Sequence, residues 1–212
     1  ARSKERSVDE WLMRLQEGSR KRAFQGTFVV SSASGAQSSA RIWHVCDGEQ
    51  QLERVDALTG PPRSTFRRNA DVVTFWPRAG VAQTEKREAL AVFPGFLQTT
   101  DNAIARFYTV KLLGADRVAG LQSDLIELVP QDGYRYGYRV WSEKSTGMLL
   151  KVQTMDAAGR VMEQSAFSEV ELDAPVSMET LKTAMGRTEG YRMVERSVAS
   201  TTADAEGWTL KA

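Results

Sequence analysis

His44 and Cys46 are the only histidine and the only cysteine of the chain. They stand two apart in the alternating run Arg41-Ile42-Trp43-His44-Val45-Cys46, so on a strand they share one face. Nucleophilic catalysis needs more: a third group to orient the histidine and a strained turn to expose the nucleophile. No Gly-x-Ser-x-Gly elbow is present, and no second histidine or Cys-x-x-Cys pair completes a zinc site. Neither common glycine pattern that cradles phosphate occurs. Glu169 and Glu171 alternate with Val170 and Leu172, the pattern of a solvated strand face. His44 therefore reads as a structural residue and Cys46 as a small packed one. The chain is read as a non-enzyme that implies no metal and no cofactor.

What remains with a chemical use is apolar surface. Tyr134, Tyr136, Tyr138 and Val140 alternate along one run, and the next run offers Leu150 and Val152. Phe28, Val30, Ile42 and Phe75 stand in earlier alternating runs. Leu90, Val92, Phe93, Phe96 and Leu97 cluster around Pro94-Gly95, a pair that breaks any regular element and makes an apolar loop or flap. Two readings are open. These residues fill an ordinary core, or they line a groove partly covered by 90–97, a surface suited to acyl chains. The candidate groove set is Phe28, Val30, Ile42, Phe75, Phe93, Phe96, Tyr136, Tyr138, Val140, Leu150 and Val152. Ile42 and Phe75 depend most on register, since a one-residue slip flips facing.

These residues need a sheet to position them. Short alternating runs at 26–32, 40–46, 50–56, 64–68, 71–76, 81–86, 108–113 and 121–129 read as strands, and those within 132–167 continue the pattern. Asp47-Gly48, Gly80, Gly147 and Gly159 supply turns. Such spacing points to an antiparallel meander rather than to βαβ units. Ser7-Val8-Asp9-Glu10 opens a helix as a capping box, with Val8, Trp11, Leu12 and Leu15 on one face, and Gly18 with the basic run Arg20-Lys21-Arg22 closing it. A short helix through Ile104 and Phe107, and another over 177–185 capped by Ser177, complete the set.

Bulk properties exclude more than they select. Of 212 residues, 28 are basic and 27 acidic, and this balance gives no electrostatic argument for nucleic acid. No run approaches the roughly 18 apolar residues of a membrane-spanning helix. A single cysteine rules out an intrachain disulfide and leaves the compartment open. Ala1-Arg2-Ser3-Lys4 reads as a mature or trimmed start.

The wording of the central meander is itself informative. It runs Tyr134-Arg135-Tyr136-x-Tyr138-x-Val140-Trp141, a turn, Leu149-x-Lys151-Val152, a turn, then Glu163-Gln164-x-x-Phe167. Arg41-Ile42-Trp43-His44 and Gln51-Leu52-Glu53-Arg54-Val55 precede it, the second leading to Leu58-Thr59-Gly60-Pro61-Pro62-Arg63. In order and spacing these motifs resemble the sigma-E regulatory family RseB/MucB of Gram-negative bacteria. Ser64 departs from that pattern, in which an acidic residue commonly follows the arginine.

The resemblance implies a mainly β (α+β) fold: a large twisted antiparallel sheet forming a half-open, lipoprotein-carrier-like (LolA/LolB-like) barrel, with a few helices over its concave side. It implies a large domain over residues 1–199, with 200–212 as linker and first residues of a smaller domain. It further implies a periplasmic protein that binds the periplasmic region of an anti-sigma factor (RseA or MucA). Binding there shields that region from site-1 proteolysis by a DegS-type protease. Lipopolysaccharide or lipoprotein acyl chains are the implied releasing signals, and self-association into a homo-oligomer is implied too. The alternative on the same fold is a lipoprotein or lipid carrier, since sites and not folds carry function.

Overall fold

Alternating apolar and polar residues over short, turn-bounded runs build strands. The computed structural model, which describes residues 5–87 and 103–196, joins twelve of them in one sheet. In chain order the elements are α1 (Val8–Arg20), β1 (Phe24–Ser32), β2 (Gln37–Asp47), β3 (Gln50–Ala57), β4 (Ser64–Arg68), β5 (Asp71–Trp76) and β6 (Val81–Lys86). Then come α2 (Ala103–Phe107), β7 (Tyr108–Val118), β8 (Leu121–Pro130), β9 (Gly137–Glu143), β10 (Leu149–Met155), β11 (Val161–Leu172), α3 (Met178–Met185) and β12 (Arg192–Glu195).

Across the sheet the order is β12-β6-β5-β4-β3-β2-β1-β11-β10-β9-β8-β7. Two antiparallel meanders, β1 to β6 and β7 to β11, are thus joined where β1 lies against β11. The sheet does not close, because β12 and β7 are its two ends. The expectation of purely antiparallel pairing needs one correction. β12 runs parallel to β6, with Arg192 beside Val81 and Glu195 beside Thr84. The chain reaches that edge by crossing over through α3, the kind of long connection parallel pairing requires.

Register decides which side chains share a face. Phe24, Phe28 and Val30 of β1 stand with Ile42 and His44 of β2, Glu53 and Val55 of β3, Arg67 of β4 and Val72 of β5. In the other direction the same face carries Phe167 of β11, Val152 of β10, Val140 of β9 and Ile126 of β8. This first face receives α1: Trp11, Leu12 and Leu15 pack on Ile126, Leu128, Val140 and Val152. Ser7 caps that helix by accepting from the Glu10 amide at 3.2 Å, as its sequence requires.

The second face is covered elsewhere. There Leu181 of α3 packs on Val45, Leu52, Phe66, Phe75 and Ala82. A third cluster, Phe24, Phe28, Ile42, Val72, Leu150 and Phe167 among its members, fills the middle of the sheet. The expected boundary at residues 199 and 200, the linker and domain start expected over 200–212, and the apolar loop with Phe93 and Phe96 all lie outside the described residues.

Candidate functional site

Beyond the end of α1, the first face opens into a cleft of ≈ 460 Å³ over β1 to β6. Period-two alternation supplies its apolar walls: Phe28 and Val30 from β1, Ala40 from β2, Val55 and Ala57 from β3, and Trp76 from β5. Thr65 and Thr74 bridge β4 and β5, with their hydroxyl oxygens 3.3 Å apart. At the rim the Glu85 carboxylate meets Arg87 at 3.3 Å and Arg196 at 3.9 Å. Arg63 also lines the cleft and makes no ion pair among the described residues. The lining is mixed: the apolar side chains alternate with Ser38, Ser39, Thr59 and Gln83, and Arg63, Arg87 and Arg196 add cations beside Glu85. It can hold a ligand with both an apolar part and an anionic end.

A buried polar row borders the cleft on the same face. His44 stacks on Phe24 with ring centroids 5.0 Å apart, and its Nδ1 lies 2.6 Å from the Arg22 carbonyl oxygen. Its Nε2 faces the Glu53 carboxylate at 3.7 Å. Glu53 in turn accepts from Arg67 Nε at 3.0 Å, while the other Arg67 nitrogens donate to the Asn69 carbonyl and the Gln51 side chain. Every member has a partner, so the row reads as a satisfied structural network. Cys46 is elsewhere, its thiol donating to the Gly48 carbonyl. Among the described residues no cluster of three or more metal-ligating side chains occurs.

The residues singled out from sequence fall in different parts of the fold. Phe28 and Val30 line the cleft, and Ile42 and Leu150 are buried in the cluster beneath it. Val140 and Val152 share the face but lie under α1, so they are core rather than groove wall. Tyr138 packs partly buried against the same helix cluster, with its ring 6.0 Å from that of Tyr108. Burial, then the neighbouring Tyr108 and Tyr136, push the Tyr138 phenol up to about 12. Phe75 is on the opposite face, set edge-on to Phe66 and to Tyr191. Its register partner Ala82 faces α3 with it, the one-residue facing flip to which short strands are prone.

Tyr134 and Tyr136 also differ from expectation. They belong to an irregular loop before β9, not to the strand, and both are exposed. Sequence reasoning missed Ala40, Val55, Ala57, Thr65, Trp76 and Arg63. Ala40 and Val55 were accessible from Phe28 and Ile42 once hairpin registers were drawn; nothing local marked the others.

This arrangement can now be set beside known proteins. The MucB/RseB N-terminal domain model matches residues 7–185. The chain belongs to the MucB/RseB family. Among curated relatives of that family it is 29% identical over 176 residues to the sigma factor AlgU regulatory protein MucB of Pseudomonas aeruginosa, covering 82% of this chain and 54% of MucB. It is 24% identical over 176 residues to the sigma-E factor regulatory protein RseB of Escherichia coli, covering 82% of this chain and 55% of RseB. The chain thus spans about half the length of these MucB/RseB relatives.

Its fold superposes on MucB in the Pseudomonas aeruginosa MucA/MucB complex with a TM-score of 0.67 at 27% identity, over 82% of this chain and 59% of MucB. An uncharacterised conserved protein of Thermus thermophilus shares the fold at a TM-score of 0.59 and 14% identity, over 89% of this chain and 99% of its own. The MucB/RseB fold is therefore an open, mainly β sheet with few helices, as the meander pattern indicates.

Proposed function

We propose that this chain is the sheet domain of a periplasmic negative regulator of a sigma-E (AlgU-type) envelope-stress response. It binds the periplasmic region of an anti-sigma factor of the MucA/RseA type and shields it from site-1 proteolysis. One observation carries the reading: a relative it resembles in both fold and sequence, at 27% identity, is MucB solved as a complex with MucA. A second MucB structure, in complex with MucA(peri), resembles the chain at 26% identity and a TM-score of 0.64. A binder has surface to use in the described part of the molecule, the cleft over β1 to β6 among it. Shielding follows from occupancy: a segment held against a protein surface cannot extend into a protease cleft. No described helix is long and apolar enough to cross a membrane.

Within that reading, the cleft is the sensor for lipid. Its volume of ≈ 460 Å³ is in the range of small-molecule sites, and the side chains of Phe28, Val30, Val55 and Trp76 beside Arg63 would take the acyl chain and anionic head of lipopolysaccharide or a lipoprotein. The same cleft supports the second reading, a lipoprotein or lipid carrier.

A protection assay separates the two. A labelled anti-sigma periplasmic region is exposed to a DegS-type protease with and without the chain, and acyl-protein transfer is assayed in parallel. A regulator slows cleavage and transfers nothing. Transfer without protection would establish the carrier instead.

A further inference from the structure

β12 is an end strand of the sheet, and Arg196, the residue that follows it, lines the cleft. The start of this segment is fixed by side-chain packing: the Tyr191 ring stands edge-on to Phe75 with centroids 5.0 Å apart. Beyond Tyr191 the strand buries little. Arg192, Met193 and Glu195 are exposed, and Val194 is half-buried. Main-chain hydrogen bonds attach it to β6, from the Arg192 amide to the Gly80 carbonyl at 2.7 Å and from the Arg196 amide to the Thr84 carbonyl at 2.8 Å. A short edge segment with few buried apolar contacts opens at low cost, so one added interaction can set how much of the time it is docked.

Register decides what that interaction is. Val194 stands beside Gln83 and Glu195 beside Thr84. One residue on, Arg196 comes beside Glu85 on the cleft face. The Glu85 side chain is 10% exposed and is shared: Arg87 holds it at 3.3 Å, whereas Arg196 is 67% exposed and reaches it only at 3.9 Å. An exposed pair at that distance contributes little by itself. The cleft lining carries three guanidiniums, those of Arg63, Arg87 and Arg196, against the single carboxylate of Glu85. Positive charge is therefore in excess there, and part of it sits on the residue that ends β12.

We propose that β12 is a latch on the cleft: an anionic group seated there draws Arg196 inward and holds β12 docked on β6. The proposal rests on the reading of the cleft as a site for an acyl ligand with an anionic head. Arg196 can contribute only when β12 is docked, so the docked state binds the anion more tightly than the open one. Ligand and latch then favour each other by the same factor. A neutral ligand of the same shape gains nothing from Arg196 and leaves β12 as loose as it is over an empty cleft. Occupancy of the cleft is thereby converted into order at the edge of the sheet.

Decyl phosphate and decanol, which share an alkyl chain and differ in charge, test this on the whole 212-residue chain. Binding is read by displacement of a fluorescent acyl probe, and latching by hydrogen exchange of the Arg196 amide followed by NMR. Saturating decyl phosphate should slow that exchange by roughly tenfold, and decanol should leave it unchanged. The Arg196→Gln variant keeps the amide and is changed only at an exposed side chain. In it decyl phosphate should no longer slow the exchange, and should bind roughly tenfold less tightly. Bound decyl phosphate with unchanged Arg196 exchange, or equal slowing in Arg196→Gln or by bound decanol, would overturn the latch and leave the cleft reading standing. Failure of both compounds to displace the probe would overturn the cleft reading, and the latch with it.

Discussion

Gly18 packs so closely on Met148 that a Cβ on the glycine would lie 2.6 Å from the Met148 backbone nitrogen. The contact is reciprocal in the same corner: a Cβ on Gly147 would lie 2.8 Å from the Arg14 carbonyl oxygen, and Gly147 holds φ at +79°. Two glycines therefore let the end of α1 lie directly on the turn between β9 and β10. α1 runs through Gly18 and ends in the basic run, with Arg20 its last residue and Lys21 its C-cap, so Gly18 serves the close approach rather than the stop.

Gly18→Ala sets two effects against each other. Alanine favours a helix interior by roughly 0.5–1 kcal/mol over glycine, but here the added methyl meets backbone that cannot step aside. Overlap should win, for a net loss of about 1–3 kcal/mol in urea unfolding. A stabilised Gly18→Ala variant would show that α1 is not seated as described.

The buried row of His44, Glu53 and Arg67 should respond asymmetrically to mutation. Glu53→Gln removes the only charge partner, among the described residues, of an Arg67 side chain that is 7% exposed, at an expected cost of about 3 kcal/mol. The double change Glu53→Leu/Arg67→Met removes both charges and should recover a good part of that loss. Thermal melts of the single and double variants decide it; a double variant as unstable as the sum of its parts contradicts this account.

Alkaline pH should weaken the fold through Tyr138. Its folded phenol is raised to about 12 by burial first and then by Tyr108 and Tyr136, against about 10 in an unfolded chain. The fold thus favours the protonated form. That contribution is fully present below pH of about 10 and is lost as pH rises toward 12. Tyr138→Phe cannot ionise, so its stability should fall less steeply over this window. Urea midpoints at a series of pH values, with phenolate absorbance as a second readout, check both statements.

Filling the cleft should stop ligand entry without breaking the core. Ala40 lines the cleft and is only half-buried, so Ala40→Trp projects an indole into the open volume. Displacement of a fluorescent acyl probe should drop by about tenfold or more, with the melting temperature little changed. Undiminished probe binding in this variant would move the acyl site elsewhere.

Much of the fold was legible because the strands are short and punctuated. β4, β5 and β6 run between the same residues that alternation and turns mark out, and both capping serines, Ser7 and Ser177, act as read. β7 runs five residues past its expected end, to Val118. Gly114 takes φ +142° where the register shifts beside Leu113, and the ladder continues past it. β12 was invisible because four residues just after Gly190 carry no period, and only the crossover through α3 brings them to β6. The tyrosine run misled for a related reason. Alternation continued back through Tyr134 and Tyr136, but Asp132-Gly133 had already turned the chain into a loop. Of the candidate site, Phe28 and Val30 were readable from one strand. Trp76, Thr65 and Arg63 join them only through the pairing of six strands, a long-range fact that no local pattern holds.

The central claim is recognition of an anti-sigma factor, and calorimetric titration of a MucA/RseA-type periplasmic region into the chain tests it most directly. The account predicts saturable binding, with the Ala40→Trp variant binding the same polypeptide while losing the acyl probe. Absence of binding heat at every accessible concentration, with the chain shown to be folded, would contradict it.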